Sequence, residues 1–503
     1  MMYGEEKSDS LIVAANLANN PQGAESVERR SGAKGNAEQP HMRRTQSRES
    51  MSQRLSRVRE AAKQRKKERF TALFHLLTAE ALENAFLSLS RKAAAGVDGV
   101  RWKDYAENLK VNIADLHRRL HQGSYRAQPG RRHYIPKADG KQRPLGIASL
   151  EDKIVQYALV KILNAVYEND FMGFSYGFRP GRSQHNALDA LATGLVRTNV
   201  NWVLDADISQ FFDKVSHEWL IRFIEHRIGD QRVIRLIRKW LTAGTSEEGE
   251  WRASEEGEWR ASEEGTPQGA VISPLLANIY LHYVFDLWAH QWRRRHATGN
   301  VVMVRYADDI VIGFDKRIDA QCFRIAMQRR LKEFGLTVHP KKTRLTEFGR
   351  FAAENRASRG KGKPETFNFL GFTHISGKDR SGRFMLIRKT RRDRMTATLK
   401  AIKDGLRKRW HYSIPEQGKW LRRVVQGYLN YHSVPGNYPM MRKFRIYVTD
   451  LWRRALRRRS QQDDTTWTKA NRLAAVWLPK VRVLHPWPVE RFTARHPRQE
   501  PGA

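Results

Sequence analysis

The chain has only one cysteine, Cys322, in 503 residues. A single thiol excludes intramolecular disulfides and cysteine-rich zinc modules. The sequence also lacks any apolar run near the roughly 20 residues that a membrane-spanning helix needs. At the N-terminus the apolar patch from Leu11 to Ala15 is short and follows two acids, so it does not look like a secretory signal. These absences predict a protein of a reducing, bacterial-type cytoplasm with no membrane partner.

Acidic residues are scarce compared with basic ones. The chain has 53 Asp and Glu against 91 Lys and Arg, which gives a formal net charge of +38. This excess is far larger than solubility requires, and it favours a long polyanion as partner, most commonly nucleic acid. A membrane surface is the weaker alternative. The basic residues are concentrated in 41–70, 388–410 and 442–459, and these segments are the predicted nucleic-acid contacts.

Two adjacent carboxylates lie between two apolar runs. The runs are 301–305 and 310–314, and Tyr306, Ala307, Asp308 and Asp309 separate them. This pattern predicts a β-hairpin that presents both aspartates at its tip. Adjacent carboxylates in so apolar a hairpin repel each other, so they require a cation. Mg²⁺ is the natural choice because it prefers oxygen ligands and phosphate co-ligands.

A second acidic strand is predicted over 202–208. Asp205 and Asp207 are two residues apart in it and therefore share one face. Placing Asp207 beside Asp308 would assemble carboxylates for two divalent ions roughly 3.5–4 Å apart, as in two-metal nucleotidyl transfer. One ion would lower the pKa of a 3′-hydroxyl nucleophile, and the other would neutralise the leaving pyrophosphate. On strand geometry alone, Asp205 competes with Asp207 for this role.

The segment 265–274 has two glycines, two prolines and Gln268 ahead of an apolar helix. Such a loop can approach phosphates or a base pair closely, although a plain turn has a similar composition. An eight-residue unit, SEEGEWRA, precedes the loop at 246–253 and is repeated verbatim at 254–261. The repeat is too short for a solenoid and carries excess negative charge. We therefore expect a surface insertion that points away from nucleic acid.

Taken in chain order, these and other motifs resemble the group II intron-encoded reverse transcriptase/maturase family. The motifs are AGVDG (95–99), RRHYIPKADGKQRPLGI (131–147), FSYGFRPGRSQHNAL (174–188), DISQFFD (207–213), TPQGAVISPLLAN (266–278), YADD (306–309), GLTVHPKKTRL (335–345), FNFLGF (367–372) and VVQGYLNY (424–431). The resemblance implies an α+β fold of the right-hand polymerase type. Fingers, a palm with an antiparallel sheet and a helical thumb would be followed by an appended basic helical maturase domain.

The resemblance and the composition together predict a division of the chain. We expect a disordered N-terminal tail over 1–50, and a basic helix with the fingers over 51–195. The palm with the catalytic site would cover 196–375, and a thumb/maturase RNA-binding domain would cover 376–460. A basic C-terminal tail would occupy 461–503. We expect no endonuclease domain, so insertion of the element would use a primer made elsewhere.

The resemblance implies that Asp207, Asp308 and Asp309 are the catalytic carboxylates and the ligands of two Mg²⁺ ions, with Mn²⁺ as a substitute. It favours Asp207 over Asp205 because the family places an aromatic residue five positions further on. Here that residue is Phe212. Its ring would act as a steric gate against a 2′-hydroxyl and so favour deoxynucleotides.

The resemblance also implies further contacts with the incoming nucleotide. Lys137 and Arg143 would bind its triphosphate, since cations near the β- and γ-phosphates suit phosphoryl transfer. Gln268 would contact the nucleotide or its base pair, and Tyr306 would lie against the primer end. Lys342 would sit near the leaving phosphate.

Two points of the pattern stay open. Lys341 is the one-residue register alternative to Lys342. Ala270 stands where the family usually has glycine, and its methyl group would narrow the nucleotide pocket. Neither this departure nor the duplicated loop removes a predicted metal ligand.

The predicted function is that of an RNA-directed DNA polymerase and maturase. It would copy intron RNA into cDNA from a DNA primer or target, with dNTPs as substrates. It would also assist folding and splicing of the intron RNA, and so support intron mobility. One alternative is a domesticated, retron-like or defence-associated reverse transcriptase. Another is an RNA-binding splicing cofactor without polymerase activity, against which the complete carboxylate set argues. The sequence does not indicate the oligomeric state.

Overall fold

The structure, a computed structural model, describes residues 40–136, 142–246, 264–266, 268–459 and 465–495. The first described helix begins at Pro40, inside the segment that we predicted to be a disordered tail. The rest of the predicted tail lies outside the described residues.

The first part of the chain forms a mainly helical body with one β-hairpin. Its elements are α1 (Pro40–Gln64), α2 (Ala79–Ser88), α3 (Trp102–Glu107), α4 (Leu109–Gln122), β1 (Gly130–Pro136), β2 (Gln142–Ile147), α5 (Leu150–Tyr167) and α6 (Gln184–Arg197). Helix α5 begins where the Ser149 side chain accepts a hydrogen bond from the Asp152 amide. Most of its side chains are buried, so it forms the centre of the first hydrophobic core.

The next part of the chain builds a four-stranded antiparallel sheet and its covering helices. Its elements are β3 (Trp202–Asp207), α7 (His217–Glu225), α8 (Gln231–Thr242), β4 (Thr245–Ser246), α9 (Ser273–Leu281), α10 (Leu287–His296), β5 (Val301–Tyr306), β6 (Asp309–Phe314), α11 (Arg317–Lys332) and β7 (Arg344–Glu347). The strand order is β5-β6-β3-β7, while β4 pairs with β1. Helices α6 and α11 pack on the sheet, which explains why β5 and β6 are nearly continuous apolar runs.

The C-terminal part consists of a small sheet and a second helical body. Its elements are α12 (Ala352–Ala357), β8 (Phe367–Phe369), β9 (Phe372–Lys378), β10 (Phe384–Thr390), α13 (Arg392–Arg407), α14 (Ile414–His432), α15 (Tyr438–Arg457), α16 (Trp467–Trp477) and α17 (Pro488–Arg495). Strands β8, β9 and β10 form an antiparallel sheet. Helices α13 to α16 enclose a hydrophobic core that is separate from the first.

The final described segment returns to the first core. Phe492 in α17 is buried within that core, and the Arg491 guanidinium pairs with the Asp189 carboxylate in α6. The backbone amides of Leu484 and His485 donate to the carbonyl of Ser433 at the end of α14. Residues 465–495, within the predicted basic C-terminal tail, therefore contact both helical bodies and connect them. The apolar ring of Phe492 is the physical reason for this docking.

The described elements confirm the predicted α+β class, with mixed helices and antiparallel sheets. Within the described ranges, the longest helices carry too much polar surface for any of them to cross a bilayer.

Candidate active site

The predicted acidic hairpin is formed by β5 and β6. Tyr306 pairs with Asp309 across it, so the loop consists of Ala307 and Asp308. Ala307 has a φ of +56°, a left-handed value that is unfavourable for a residue with a Cβ. Such a conformation persists only where the surrounding contacts hold it, and it is typical of functional turns. The hairpin prediction is confirmed, and its tip carries Asp308 beside Asp309.

Strand β3 brings the second group of carboxylates to this tip. Asp207, the last residue of β3, lies directly opposite Asp309 in the antiparallel register with β6. Asp205 lies two residues earlier on the same face, opposite Val311. Two pairs of aspartates that are about 100 residues apart in sequence thus lie at one end of one sheet.

The electrostatics of this cluster show a shortage of positive charge. Burial, followed by the charges of Asp309 and Asp207, raises the pKa of Asp205 to about 7. Partial burial of the Asp309 carboxyl, followed by the charges of Asp308 and Asp207, raises its pKa to about 6. Asp309 nonetheless keeps surface open to water. Repulsion between like charges is the expected consequence of grouping carboxylates without a counter-ion.

Lys342 supplies one cation to the cluster. Its Nζ lies 2.7 Å from Oδ2 of Asp207, and this hydrogen bond raises the pKa of the lysine. The backbone amide of His339 donates to the Asp207 carbonyl at 2.7 Å, which ties the lysine's loop to the end of β3. The geometry therefore selects Lys342 over its neighbour as the residue that reaches the aspartates.

The aspartates suit a divalent cation by their chemistry. They offer only oxygen donors, which Mg²⁺ prefers, and their raised pKa values reflect a charge that a cation would neutralise. Across the described part of the chain, no three acidic, histidine or cysteine side chains converge closely enough to hold an ion as they stand. The Lys342 ammonium contacts the Asp207 carboxylate that we predicted to bind metal. The donor set therefore fits Mg²⁺, but the predicted coordination geometry is not present.

Phe212 follows β3 on a single 3₁₀ turn, Phe211–Asp213. The turn is possible because Gln210 adopts a left-handed φ of +47° and redirects the chain. The Phe212 ring is half-buried and meets the Phe211 ring edge-on at 5.4 Å between centroids. The predicted gate residue thus combines core packing with an accessible face close to Asp207 in sequence.

The loop around Gln268 connects this turn to the β1–β2 hairpin. Gln268 Nε2 donates to Oδ1 of Asp213 at 3.1 Å, and its carbonyl accepts from the Gly146 amide at 2.6 Å. Gly269 has a φ of +113°, and a Cβ there would lie 2.8 Å from the Gly146 carbonyl oxygen. Only glycine fits so close an approach. Ala270 is buried beside this contact, and its methyl group lines an interior cavity with Trp240.

The remaining predicted residues are placed less completely. The Tyr306 ring is half-buried, with its centroid 6.3 Å from that of Phe178. Arg143 lies in β2 opposite Ile135. Lys137 lies outside the described residues, as does nearly all of the duplicated SEEGEWRA segment.

The structure adds Asp205 to the cluster, a residue that the sequence had not favoured as a metal ligand. Asp205 was the strand-geometry alternative to Asp207, yet both side chains belong to the same group of interacting charges. The two-residue spacing contained this signal, because it places both carboxylates on one face of β3.

Comparison with known proteins identifies the class first. Residues 135–374 match the family described as "Reverse transcriptase (RNA-dependent DNA polymerase)". This span contains the antiparallel sheet, all four clustered aspartates and Lys342. The fold and the site within this span are therefore similar to those of the reverse transcriptase family, whose members generally use divalent ions such as Mg²⁺.

Individual relatives narrow the family. Protein YkfC of Escherichia coli K12 is 41% identical over 214 residues, covering 42% of this chain and 54% of YkfC. The group II intron-encoded protein LtrA of Lactococcus lactis is 36% identical over 231 residues, or 45% of this chain and 37% of LtrA. The putative COX1/OXI3 intron 1 protein of Saccharomyces cerevisiae is 26% identical over 401 residues, or 66% of this chain and 46% of that protein.

The chain is thus similar to the reverse transcriptase family and to a group II intron-encoded protein, which is the resemblance that its motifs predicted. The matched regions span about half, or less, of the length of these curated relatives.

Proposed function

We propose that this protein is an RNA-directed DNA polymerase that copies intron RNA into cDNA and assists the folding and splicing of that RNA. The observation that carries the proposal is the antiparallel pairing of Asp207 with Asp309, with Asp308 at the adjoining turn. The proposed substrates are dNTPs, an intron RNA template and a DNA primer or target. We also propose that it acts in the cytoplasm, in keeping with its single cysteine.

In the proposed mechanism, Asp207, Asp308 and Asp309 would hold two Mg²⁺ ions, which when bound would activate the primer hydroxyl and neutralise the leaving pyrophosphate. Asp205 lies two residues before Asp207 on the same face of β3, and its charge interacts with the same cluster. Lys342 would release Asp207 to the metal and turn towards the departing phosphates, which its exposed side chain leaves it free to do. The half-buried ring of Phe212 would limit space at the sugar and exclude a 2′-hydroxyl.

We further propose the right-hand polymerase arrangement for these elements. The four-stranded sheet with its helices would be the palm, within 196–375, and the preceding body would supply the fingers, within 51–195. Helices α13 to α15 would form the thumb/maturase domain, within 376–460. The separate hydrophobic core of these helices supports an independent unit.

The surface of this helical unit supports RNA binding. In α13, Met395, Ile402 and Leu406 are buried, while the opposite face exposes basic residues. The exposed basic residues of α13 and α15 are Arg392, Arg394, Lys400, Lys403, Arg407, Arg442, Lys443, Arg454 and Arg457. Phosphate contacts from such a face would make RNA affinity fall steeply with salt concentration.

The first test is primer extension on an RNA template with Mg²⁺ and dNTPs, together with an intron-splicing assay. We expect Asp308→Asn to abolish cDNA synthesis and to leave stimulated splicing near the wild-type rate, because the carboxylate is needed for metal binding and not for RNA binding. Asp379→Asn, in the turn between β9 and β10, is the matched control and should leave both activities intact.

Two outcomes would contradict the proposal. If the folded wild-type protein stimulates splicing but never extends a primer, it is a splicing cofactor and not a polymerase. If Asp308→Asn remains folded but loses both activities equally, the separation of polymerase and maturase surfaces is wrong.

A further inference from the structure

A fully buried arginine, Arg305, lies in β5 immediately before Tyr306. A charged group without solvent contact is costly unless it is paired and fully hydrogen-bonded. A guanidinium in this position therefore needs a hydrogen-bond acceptor for each of its N–H groups.

The Arg305 side chain has such a set. Its Nε donates to Oδ1 of Asp286 at 2.7 Å, and Nη2 donates to Oδ2 at 2.5 Å. Nη2 also donates to Oγ of Ser175 at 2.7 Å, and Nη1 donates to Oδ1 of Asn278 at 3.1 Å. The last donor, also on Nη1, reaches the carbonyl oxygen of Ala307 at 3.0 Å. Every N–H of the guanidinium is thereby used.

The contact with Ala307 connects this buried group to the acidic turn. The Ala307 carbonyl belongs to the peptide that joins Ala307 to Asp308, so the arginine determines the orientation of that peptide plane. Ala307 is the residue with the left-handed φ of +56°. A backbone conformation of this kind needs an outside restraint to persist, and the Arg305 hydrogen bond is such a restraint.

The partners of Arg305 come from separate parts of the chain. Asp286 is the last residue of a π-helical turn, His282–Asp286, between α9 and α10. Such turns are rare and frequently occur at functional sites. Asn278 also donates through Nδ2 to the Gly177 carbonyl at 2.7 Å. Gly177 itself packs so tightly on the turn that a Cβ there would lie 2.3 Å from the Ala307 nitrogen.

We propose that Arg305, oriented by Asp286, is a positioning residue that aims the Asp308 and Asp309 carboxylates at their divalent cations by holding the Ala307–Asp308 peptide. This inference rests on the proposed polymerase function, but it concerns a residue that touches neither metal nor nucleotide. Substitution of Arg305 should therefore lower the affinity for the divalent metal and the rate of primer extension, and it should leave RNA binding unaffected.

The test variant is Arg305→Lys, because lysine keeps the charge but cannot make bidentate and carbonyl contacts together. Two quantities are measured in the full-length protein: Mn²⁺ affinity without substrates, by electron paramagnetic resonance, and the Mg²⁺ dependence of primer extension. We expect both metal affinities to weaken about 10-fold to 100-fold, as for other outer partners of metal ligands. The affinity for template RNA should stay within about twofold of wild type, since no phosphate-binding surface changes.

The matched control is Arg227→Lys. Arg227 is also a buried arginine, pairs with Asp170 at 2.8 Å and binds backbone carbonyls, but it has no contact with the acidic turn. Its replacement should lower the unfolding temperature and leave Mn²⁺ affinity unchanged. Equal metal affinity in the folded Arg305→Lys and wild-type proteins would overturn the inference. Absence of extension by the wild type would instead overturn the polymerase proposal.

A milder variant keeps the test decisive if Arg305→Lys does not fold. Ser175→Ala removes one acceptor from the guanidinium and leaves the Asp286 pair intact. We expect a smaller weakening of Mn²⁺ affinity, in the same direction. An unchanged Mn²⁺ affinity in folded Ser175→Ala would then count against the inference.

Discussion

At the scale of single residues, the site is a group of like charges with too little compensation. Asp205 and Asp309 have pKa values raised to about 7 and about 6, because burial and neighbouring aspartates disfavour their charged forms. Lys342 contacts Asp207 from the exposed side. The arrangement favours binding of a multivalent cation, since each added positive charge would relieve several repulsions at once.

These shifts predict a pH dependence of stability in metal-free protein. The folded-state pKa of Asp205 lies above its unfolded value of 3.8, so the folded state binds a proton at this carboxylate more tightly than the unfolded state does. The contribution of this protonation to the free energy of unfolding is therefore complete below about pH 4 and is lost as the pH rises towards about 7. We expect Asp205→Asn to raise the unfolding temperature relative to wild type at pH 8, and to have little effect at pH 4.

The comparison is made by thermal unfolding in chelator at both pH values, with Asp379→Asn as a control for surface carboxylates. Saturating Mg²⁺ should narrow the difference at pH 8, because the cation takes over the neutralisation. A lower unfolding temperature for Asp205→Asn at pH 8 in chelator would show that the ionised carboxylate does not destabilise the folded state.

At the scale of secondary-structure elements, the acidic hairpin depends on close packing from outside the sheet. The motif that contains Gly177 crosses the end of β5, where the Tyr176 amide donates to the Arg305 carbonyl at 2.8 Å. A side chain at Gly177 would overlap the backbone of Ala307. Because backbone atoms cannot move aside as a flexible side chain does, the hairpin tip would have to shift.

This packing makes Gly177→Ala a test of the hairpin's position. We expect a loss of about 1–3 kcal/mol in the free energy of unfolding, as for other overpacked sites, together with strongly reduced primer extension. Urea denaturation and primer extension measure the two effects.

Gly427→Ala in α14 provides the contrast, since a Cβ there meets nothing within 4 Å. A helical alanine should stabilise by up to about 1 kcal/mol relative to glycine. If both Gly427→Ala and Gly177→Ala extend a primer at the wild-type rate, the close approach of Gly177 to Ala307 has no role in primer extension.

Local sequence patterns predicted these elements well where one short window contains the signal. The apolar runs around Asp308 and Asp309 predicted the hairpin, and the run that contains Asp205 and Asp207 predicted β3. The choice between Lys341 and Lys342 was not available from sequence, because it depends on the contact of the Lys342 side chain with Asp207, which is 135 residues away. Such register-dependent contacts involve residues that no local window includes.

At the scale of the whole molecule, the chain has two hydrophobic cores, and its C-terminal segment connects them. Phe492 packs in the first core, whereas the preceding helix α16 packs in the second. The Asp189 carboxylate in α6 forms ion pairs with two arginines, Arg491 from α17 and Arg388, at 3.6 Å, from β10. The relative position of the C-terminal helical unit and the four-stranded sheet should therefore depend on this segment.

We expect Phe492→Ala to cost about 3–5 kcal/mol locally, because it removes a buried aromatic ring. Amide hydrogen exchange should become faster in α6 and α17 before it changes in β5 and β6. Trp487→Ala, which alters a side chain that is 50% exposed, is the matched control and should leave exchange in α6 unchanged. Unchanged protection of α6 in Phe492→Ala would show that the contact does not join the two bodies.

The sequence by itself determined the excess of basic charge, the acidic hairpin and the strand that carries Asp205 and Asp207. These features follow from composition and from local patterns of apolar and acidic residues, whereas the class was predicted only through the resemblance of the motifs to a known family. The tertiary structure alone decided that Asp207 opposes Asp309, that Arg305 holds the turn and that Phe492 returns to the first core. Those contacts join distant segments, and their geometry follows from strand register and from which buried groups find partners.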